Sequence, residues 1–281
     1  MLTQEEGRGR LRFLRRETDP PRRRLSRGVY LLPSLFTLGN MFCGYACIVY
    51  AMQGQYETAA PFIGFAIVLD ILDGRIARLT GTASAFGVEF DSLADVISFG
   101  IAPAILSFAW GLSPLGRLGW AAGFMFLTAG AMRLARFNIQ SAVGGDKRYF
   151  VGMPSPAAAA VPAATVFAYP AGLFDYRQAL PALAMVLVPA VLMVSTIRFR
   201  SFKTIDLRTR RPYTVLLLIA AGIMLITTHP RFVLVLLAYS YLASAFVGMA
   251  ITRFRRRGGR IVPDEVTHET EDTRPLDTAA R

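Results

Sequence analysis

The sequence predicts an all-α, polytopic membrane protein, and three observations predict it. Of its 281 residues 53% are hydrophobic and only 18% charged, with a positive mean hydropathy, a profile foreign to disordered chains and unusual for soluble domains. The apolar residues fall into eight runs of roughly helical length, separated by short polar loops. The positive charge gathers at the edges of those runs. Nine arginines lie between Arg8 and Arg27 and five between Arg253 and Arg260, as juxtamembrane segments near anionic lipid require.

That placement also explains the net charge of +12. Basic clusters flanking apolar spans suit a membrane surface, so membrane lipids are expected partners and nucleic acid is not. Two cysteines, Cys43 and Cys47, are too few for a disulfide framework. Lacking a further Cys or His pair, they form no zinc site and are expected as small core residues. His229 and His268 stand alone and receive no role.

Residues 1–28 read as a basic cytoplasmic arm, interrupted at Asp19-Pro20-Pro21 because proline breaks helices. Within it, Leu11, Phe13 and Leu14 lie among arginines and suit the membrane surface. The first span, Tyr30 to Met52, is too long for a secretory signal. It carries Ser34, Thr37 and Asn40 at three-residue spacing, one face that can line a cavity or join helices. The second span runs from Thr58 to Leu79 and the third from Phe86 to Leu112. The fourth, Leu118 to Ala135, ends in Arg133-Leu134-Ala135-Arg136-Phe137-Asn138. A fifth follows Gly152-Met153-Pro154-Ser155-Pro156 and reaches Leu173, and a sixth covers Pro181 to Ile197. Thr214 to Thr227 and Phe232 to Ile251 make the seventh and eighth, the seventh being short for a span. Residues 258–281 are polar and read as a disordered tail.

An even number of spans puts both termini on one side. With that side cytoplasmic, the far loops hold Arg117, Arg177 and Arg231, three of the 31 lysines and arginines, so the positive-inside rule is obeyed. The expected location is the cytoplasmic (inner) membrane.

The chain is organised around Val68 to Ser98, where Asp70, Asp73, Asp91 and Asp95 interrupt an apolar stretch. A carboxylate at membrane depth costs several kcal/mol, about 2.5–3.5 by the lower scales. The nearby bases are Arg75 and Arg78, so a pair of divalent cations is the simplest source of the missing charge. Asp70 and Asp73 are i,i+3 and Asp91 and Asp95 are i,i+4, each pair on one helix face. The small, polar Thr80-Gly81-Thr82-Ala83-Ser84 reads as a turn, and a helical hairpin about it brings all four to one depth. Oxygen-only ligands favour Mg²⁺, Mn²⁺ or Ca²⁺. A structural salt-bridge network and the ion path of a cation transporter are the competing readings. A transporter predicts carboxylates spread through the membrane depth, whereas these gather at one end.

Carboxylate-held metals at a membrane edge suit phosphoryl chemistry on a lipid diphosphate. Gly74 and Gly87 allow close approach of a bulky anion, Arg78 can reach a phosphate oxygen, and one aspartate can accept a proton from an attacking hydroxyl. Residue chemistry alone reaches transfer from a lipid diphosphate to a soluble alcohol.

The pattern Asp70-x2-Asp73-Gly74-x2-Ala77-Arg78-x8-Gly87-x3-Asp91-x3-Asp95 resembles the signature of the CDP-alcohol phosphatidyltransferases at each specified position. The resemblance implies a six-helix membrane core, two divalent cations (Mg²⁺ or Mn²⁺) and CMP as leaving group. It implies Asp70, Asp73 and Asp91 as metal ligands, Asp95 as general base and also near a metal, and Gly74, Ala77, Arg78 and Gly87 around the CDP group. Ser34, Thr37 and Asn40 are added to that CDP pocket, although many relatives carry Asn where this chain has Ser34. Over residues 29–205 the chain is most similar to the family's phosphatidylserine synthase branch, through Leu32 to Asn40, Ser92 to Gly100, Ala135 to Asn138, Gly152 to Pro156 and Arg200 to Lys203. That implies CDP-diacylglycerol and L-serine as substrates and a homodimer, with glycerol phosphate, inositol phosphate or choline as alternative acceptors. Serine is a zwitterion needing one cation for its carboxylate, and Arg133, Arg136, Asn138, Ser155, Arg200 and Lys203 are its candidate partners. The expected domains are the arm, a catalytic core at 29–205, two further helices at 206–257 and the tail.

Overall fold

A computed structural model describes residues 27–81, 84–142, 149–195, 198–200 and 212–258. The arm as far as residue 26, Thr82, Ala83, Lys203 and the tail from residue 259 lie outside the described residues, as does His268.

α1 (Arg27–Met52) and α2 (Tyr56–Thr80) make the most extensive helix–helix contact. α3 (Ala85–Asp95) runs on through a π-helical segment, Val96–Ile101, then α4 (Ala102–Ser107), a second π-helical segment, Phe108–Leu112, and a 3₁₀ turn, Ser113–Leu115. Together these form one 31-residue span, Ala85–Leu115. α5 (Arg117–Ala142), α6 (Ser155–Ala168) and α7 (Tyr176–Val194) complete the bundle around it, and α8 (Pro212–Thr228) and α9 (Pro230–Gly258) follow. α9 packs on α6, where the hydroxyls of Thr165 and Tyr239 share a hydrogen bond of 3.1 Å. A short antiparallel ladder, β1 (Tyr149–Val151) with β2 (Arg198–Arg200), joins the segments before α6 and after α7. The helical expectation holds, and this ladder is an addition to it.

Among the described residues, four helical spans are long and apolar enough to cross a membrane, or five if the bent α8–α9 pair counts as one. The sequence reading counted eight. A helix lies in each of those eight runs, ending at Ala168 in the fifth and at Val194 in the sixth, but α2 carries Glu57, Asp70, Asp73, Arg75 and Arg78, and α6 has 14 residues, short of the roughly 20 a span needs. The protein is a multi-pass helical membrane protein.

Its packing has the membrane pattern. Ala59, Ala60 and Ala66 on α2, and Ala158, Ala159, Ala163 and Ala164 on α6, are buried, whereas Phe42, Phe65, Trp120 and Phe124 are exposed. Lipid gives large apolar side chains no reason to turn inward, and small ones let backbones approach. Cys43 and Cys47 are buried, free thiols in this core. α1 also comes close to the first π-helical segment: a Cβ on Gly44 would lie 2.6 Å from Ser98 Oγ and 2.8 Å from Ser98 Cα. Glycine at 44 therefore lets α1 seat against the turn that follows Asp95.

Candidate active site

α2 ends at Gly81, whose N–H is bonded to the Ala77 carbonyl. α3 begins at the N-cap Ser84, whose Oγ accepts from the Gly87 N–H at 3.0 Å. Such caps satisfy helix-end groups that would otherwise be orphaned. α2 and α3 both rest on α1, and the expected hairpin is splayed, with a cavity of about 720 Å³ between its arms.

All four aspartates line that cavity. Carboxylate oxygens of Asp70, Asp91 and Asp95 lie within 4.8 Å of one another. Asp73 meets this trio at the Asp91 side chain, and Thr37 Oγ1 donates to Asp73 Oδ2 at 3.0 Å. The same hydroxyl lies 3.2 Å from the Pro33 carbonyl, so its one proton serves two acceptors. Asn40 Nδ2 donates to Asp95 Oδ1 at 3.2 Å, and Ser98 Oγ donates to the Asn40 carbonyl at 2.8 Å. A layer of α1 side chains thus holds the aspartates of α2 and α3.

The donor set fits a divalent cation. Three carboxylates this close repel each other unless a cation lies among them, and Asp91 Oδ1 is buried with no hydrogen-bond partner among the described residues. Oxygen donors alone suit hard cations.

Gly74, Ala77, Arg78, Gly87 and Ser34 line the same cavity. Thr37 also lines it, whereas Asn40 lies beneath, fully buried. Arg75 is exposed and does not line it. Of the candidates for the acceptor, Arg133 and Asn138 line the cavity. Arg133 Nη1 donates to the buried Ser155 Oγ at 2.8 Å, and its guanidinium lies 5.8 Å from the Phe137 ring centre. Asn138 Nδ2 donates to Ser92 Oγ at 2.9 Å. Arg136 instead reaches the Val194 carbonyl at 3.4 Å and is not among the lining residues. Arg200 belongs to β2, and Lys203 lies outside the described residues. Ser155 is buried between Pro154 and Pro156, which line the cavity, and follows a tight turn. Gly152 has φ 86°, and a Cβ there would come within 2.4 Å of the Met193 carbonyl oxygen.

Pro33, Ser84, Val88, Glu89, Ser92, Leu134, Phe137, Pro154 and Pro156 complete the wall. The sequence reading assigned none of them a role. Ser84, Val88 and Ser92 had a signal: with Asp91 and Asp95 they recur at three- and four-residue spacing, one face of α3. Glu89 lies at the edge of that face, three residues before Ser92.

The family model described as CDP-alcohol phosphatidyltransferase matches residues 30–247. A Helicobacter pylori protein named CDP-diacylglycerol–serine O-phosphatidyltransferase is 41% identical over 184 residues, covering 63% of this chain and 75% of its own length. An archaetidylserine synthase of Methanothermobacter thermautotrophicus is 35% identical over 170 residues (60% and 69%). A Bacillus subtilis CDP-diacylglycerol–serine O-phosphatidyltransferase is 34% identical over 125 residues (44% and 69%).

Proposed function

The chain belongs to the CDP-alcohol phosphatidyltransferase family, and we propose that it transfers the phosphatidyl group of CDP-diacylglycerol to the hydroxyl of L-serine, giving phosphatidylserine and CMP. The names of its relatives support the acceptor. The observation that carries the chemistry is the cluster of Asp70, Asp91 and Asp95 oxygens within 4.8 Å, in a cavity that also presents Arg78 and Arg133.

In this reading Asp70, Asp73, Asp91 and Asp95 hold two divalent cations, Mg²⁺ or Mn²⁺. Bound there, such ions neutralise diphosphate oxygens and ease departure of the leaving group. Gly74, Ala77 and Gly87 leave room for the CDP moiety, and Arg78 binds a phosphate oxygen. Ser34 lines the same end, while Thr37 and Asn40 act by holding Asp73 and Asp95. Asp95 accepts the proton of the serine hydroxyl as its oxygen attacks the β-phosphorus. The new O–P bond replaces the bond to CMP, which leaves with the electron pair. Arg133, hydrogen-bonded to Ser155, receives the serine carboxylate, with Asn138 beside it.

The orientation follows the positive-inside asymmetry, with both termini and the cavity mouth on the cytoplasmic side. Residues 29–205 form the catalytic unit, α8 and α9 extend it, and the active form is a homodimer. The test is CMP release by purified protein in detergent, given CDP-diacylglycerol and Mn²⁺ or Mg²⁺. Serine, glycerol phosphate, inositol phosphate and choline are offered separately. Release with serine alone, abolished by chelator and restored by added metal, is expected. Release with a different alcohol overturns the acceptor, and release with none overturns the reaction.

A further inference from the structure

Glu89 is a fifth carboxylate among the described residues that line the cavity, and neither the cation site nor the CDP pocket engages it. We infer that Glu89 determines acceptor specificity by taking the acceptor's ammonium group. This inference rests on the reading of the acceptor as serine.

An amino-acid alcohol presents three groups: a hydroxyl to react, a carboxylate and an ammonium. The hydroxyl has Asp95 and the carboxylate has Arg133. The ammonium needs an anionic acceptor, and Asp70, Asp91 and Asp95 are committed to their own cluster, as Asp73 is to Thr37 and Asp91. Glu89 remains.

Its position suits the task. Glu89 precedes Ser92 by three residues, on the same flank of α3. Ser92 is bonded to Asn138 of α5, so this flank looks toward the end of α5 that carries Arg133. Glu89 precedes Asp95 by six residues, about 9 Å of helix rise, a gap that a glutamate side chain and a small amino alcohol can bridge. It is exposed while lining the cavity, which puts it at the mouth where a water-soluble acceptor arrives. A carboxylate there also repels acceptors that carry a phosphate, so selection works by attraction and by exclusion.

The experiment uses the full chain in detergent, with CMP release measured as serine and CDP-diacylglycerol are varied in turn. Glu89→Gln should raise KM for serine roughly tenfold or more through loss of a charge-assisted bond. The kcat should stay within about threefold of wild type and KM for CDP-diacylglycerol within about twofold, the pattern of lost acceptor binding. Glu89→Asp should fall between wild type and Glu89→Gln. An unchanged serine KM in Glu89→Gln, with wild type using serine, overturns this inference alone. Parallel rises in both KM values also overturn it, since Glu89 would then shape the whole site. Failure of the wild type to use serine overturns the acceptor reading, and this inference with it.

Discussion

Asn40 offers the sharpest separation of function from stability. Its side chain is fully buried. Nδ2 supports Asp95 Oδ1 at 3.2 Å, while its own Oδ1 is buried with no partner among the described residues. In Asn40→Ala, Asp95 loses a donor to a charged acceptor, an interaction of about 1.5–3 kcal/mol. If that bond holds Asp95 in the orientation that accepts the proton, kcat should fall roughly ten- to a hundredfold. Stability should respond differently. The same substitution removes the unsatisfied Oδ1, whose burial costs about 1–3 kcal/mol, and this offsets much of the lost bond. Ser98 donates to the Asn40 backbone carbonyl, which alanine keeps. The assay pairs CMP release with thermal unfolding of the same detergent preparation. A large loss of turnover with a small change in melting temperature is expected. Turnover within about threefold of wild type, or a fall that tracks loss of the folded fraction, would refute the reasoning.

Asp95→Asn should abolish CMP release while leaving CDP-diacylglycerol binding largely intact, measured by direct binding; equal loss of both would make Asp95 chiefly a metal ligand. Gly44→Ala brings a Cβ within 2.8 Å of Ser98 Cα, so α1 must shift from the first π-helical segment. Such overpacking costs typically about 1–3 kcal/mol. Thermal unfolding should show the loss, and an unchanged melting temperature would mean that α1 has room to move.

Much of the site was legible because its signals are local. Asp70 with Asp73, and Asp91 with Asp95, are neighbours by helical period alone. The break in helix between Gly81 and Ser84 follows from residue type, and oxygen-only donors favour hard cations without coordinates. Arg133 and Arg136 show the boundary. They lie three residues apart near the end of α5 and read alike, yet Arg133 lines the cavity and turns to Ser155, and Arg136 turns to the Val194 carbonyl. The rotation of α5 against α6 and α7 decides between them, and no periodicity within α5 encodes it.

The sequence by itself determined a helical membrane protein, a carboxylate cluster at one end of its spans and the family signature. All three rest on composition or on spacings within a few turns of helix. Only the tertiary structure decided that Thr37 holds Asp73 and Asn40 holds Asp95, across separations of 36 and 55 residues. It alone brought Glu89 into the cavity wall and seated α9 against α6. These depend on how whole helices pack and rotate, and small residues such as Gly44 permit that packing without announcing which helix will fill the space.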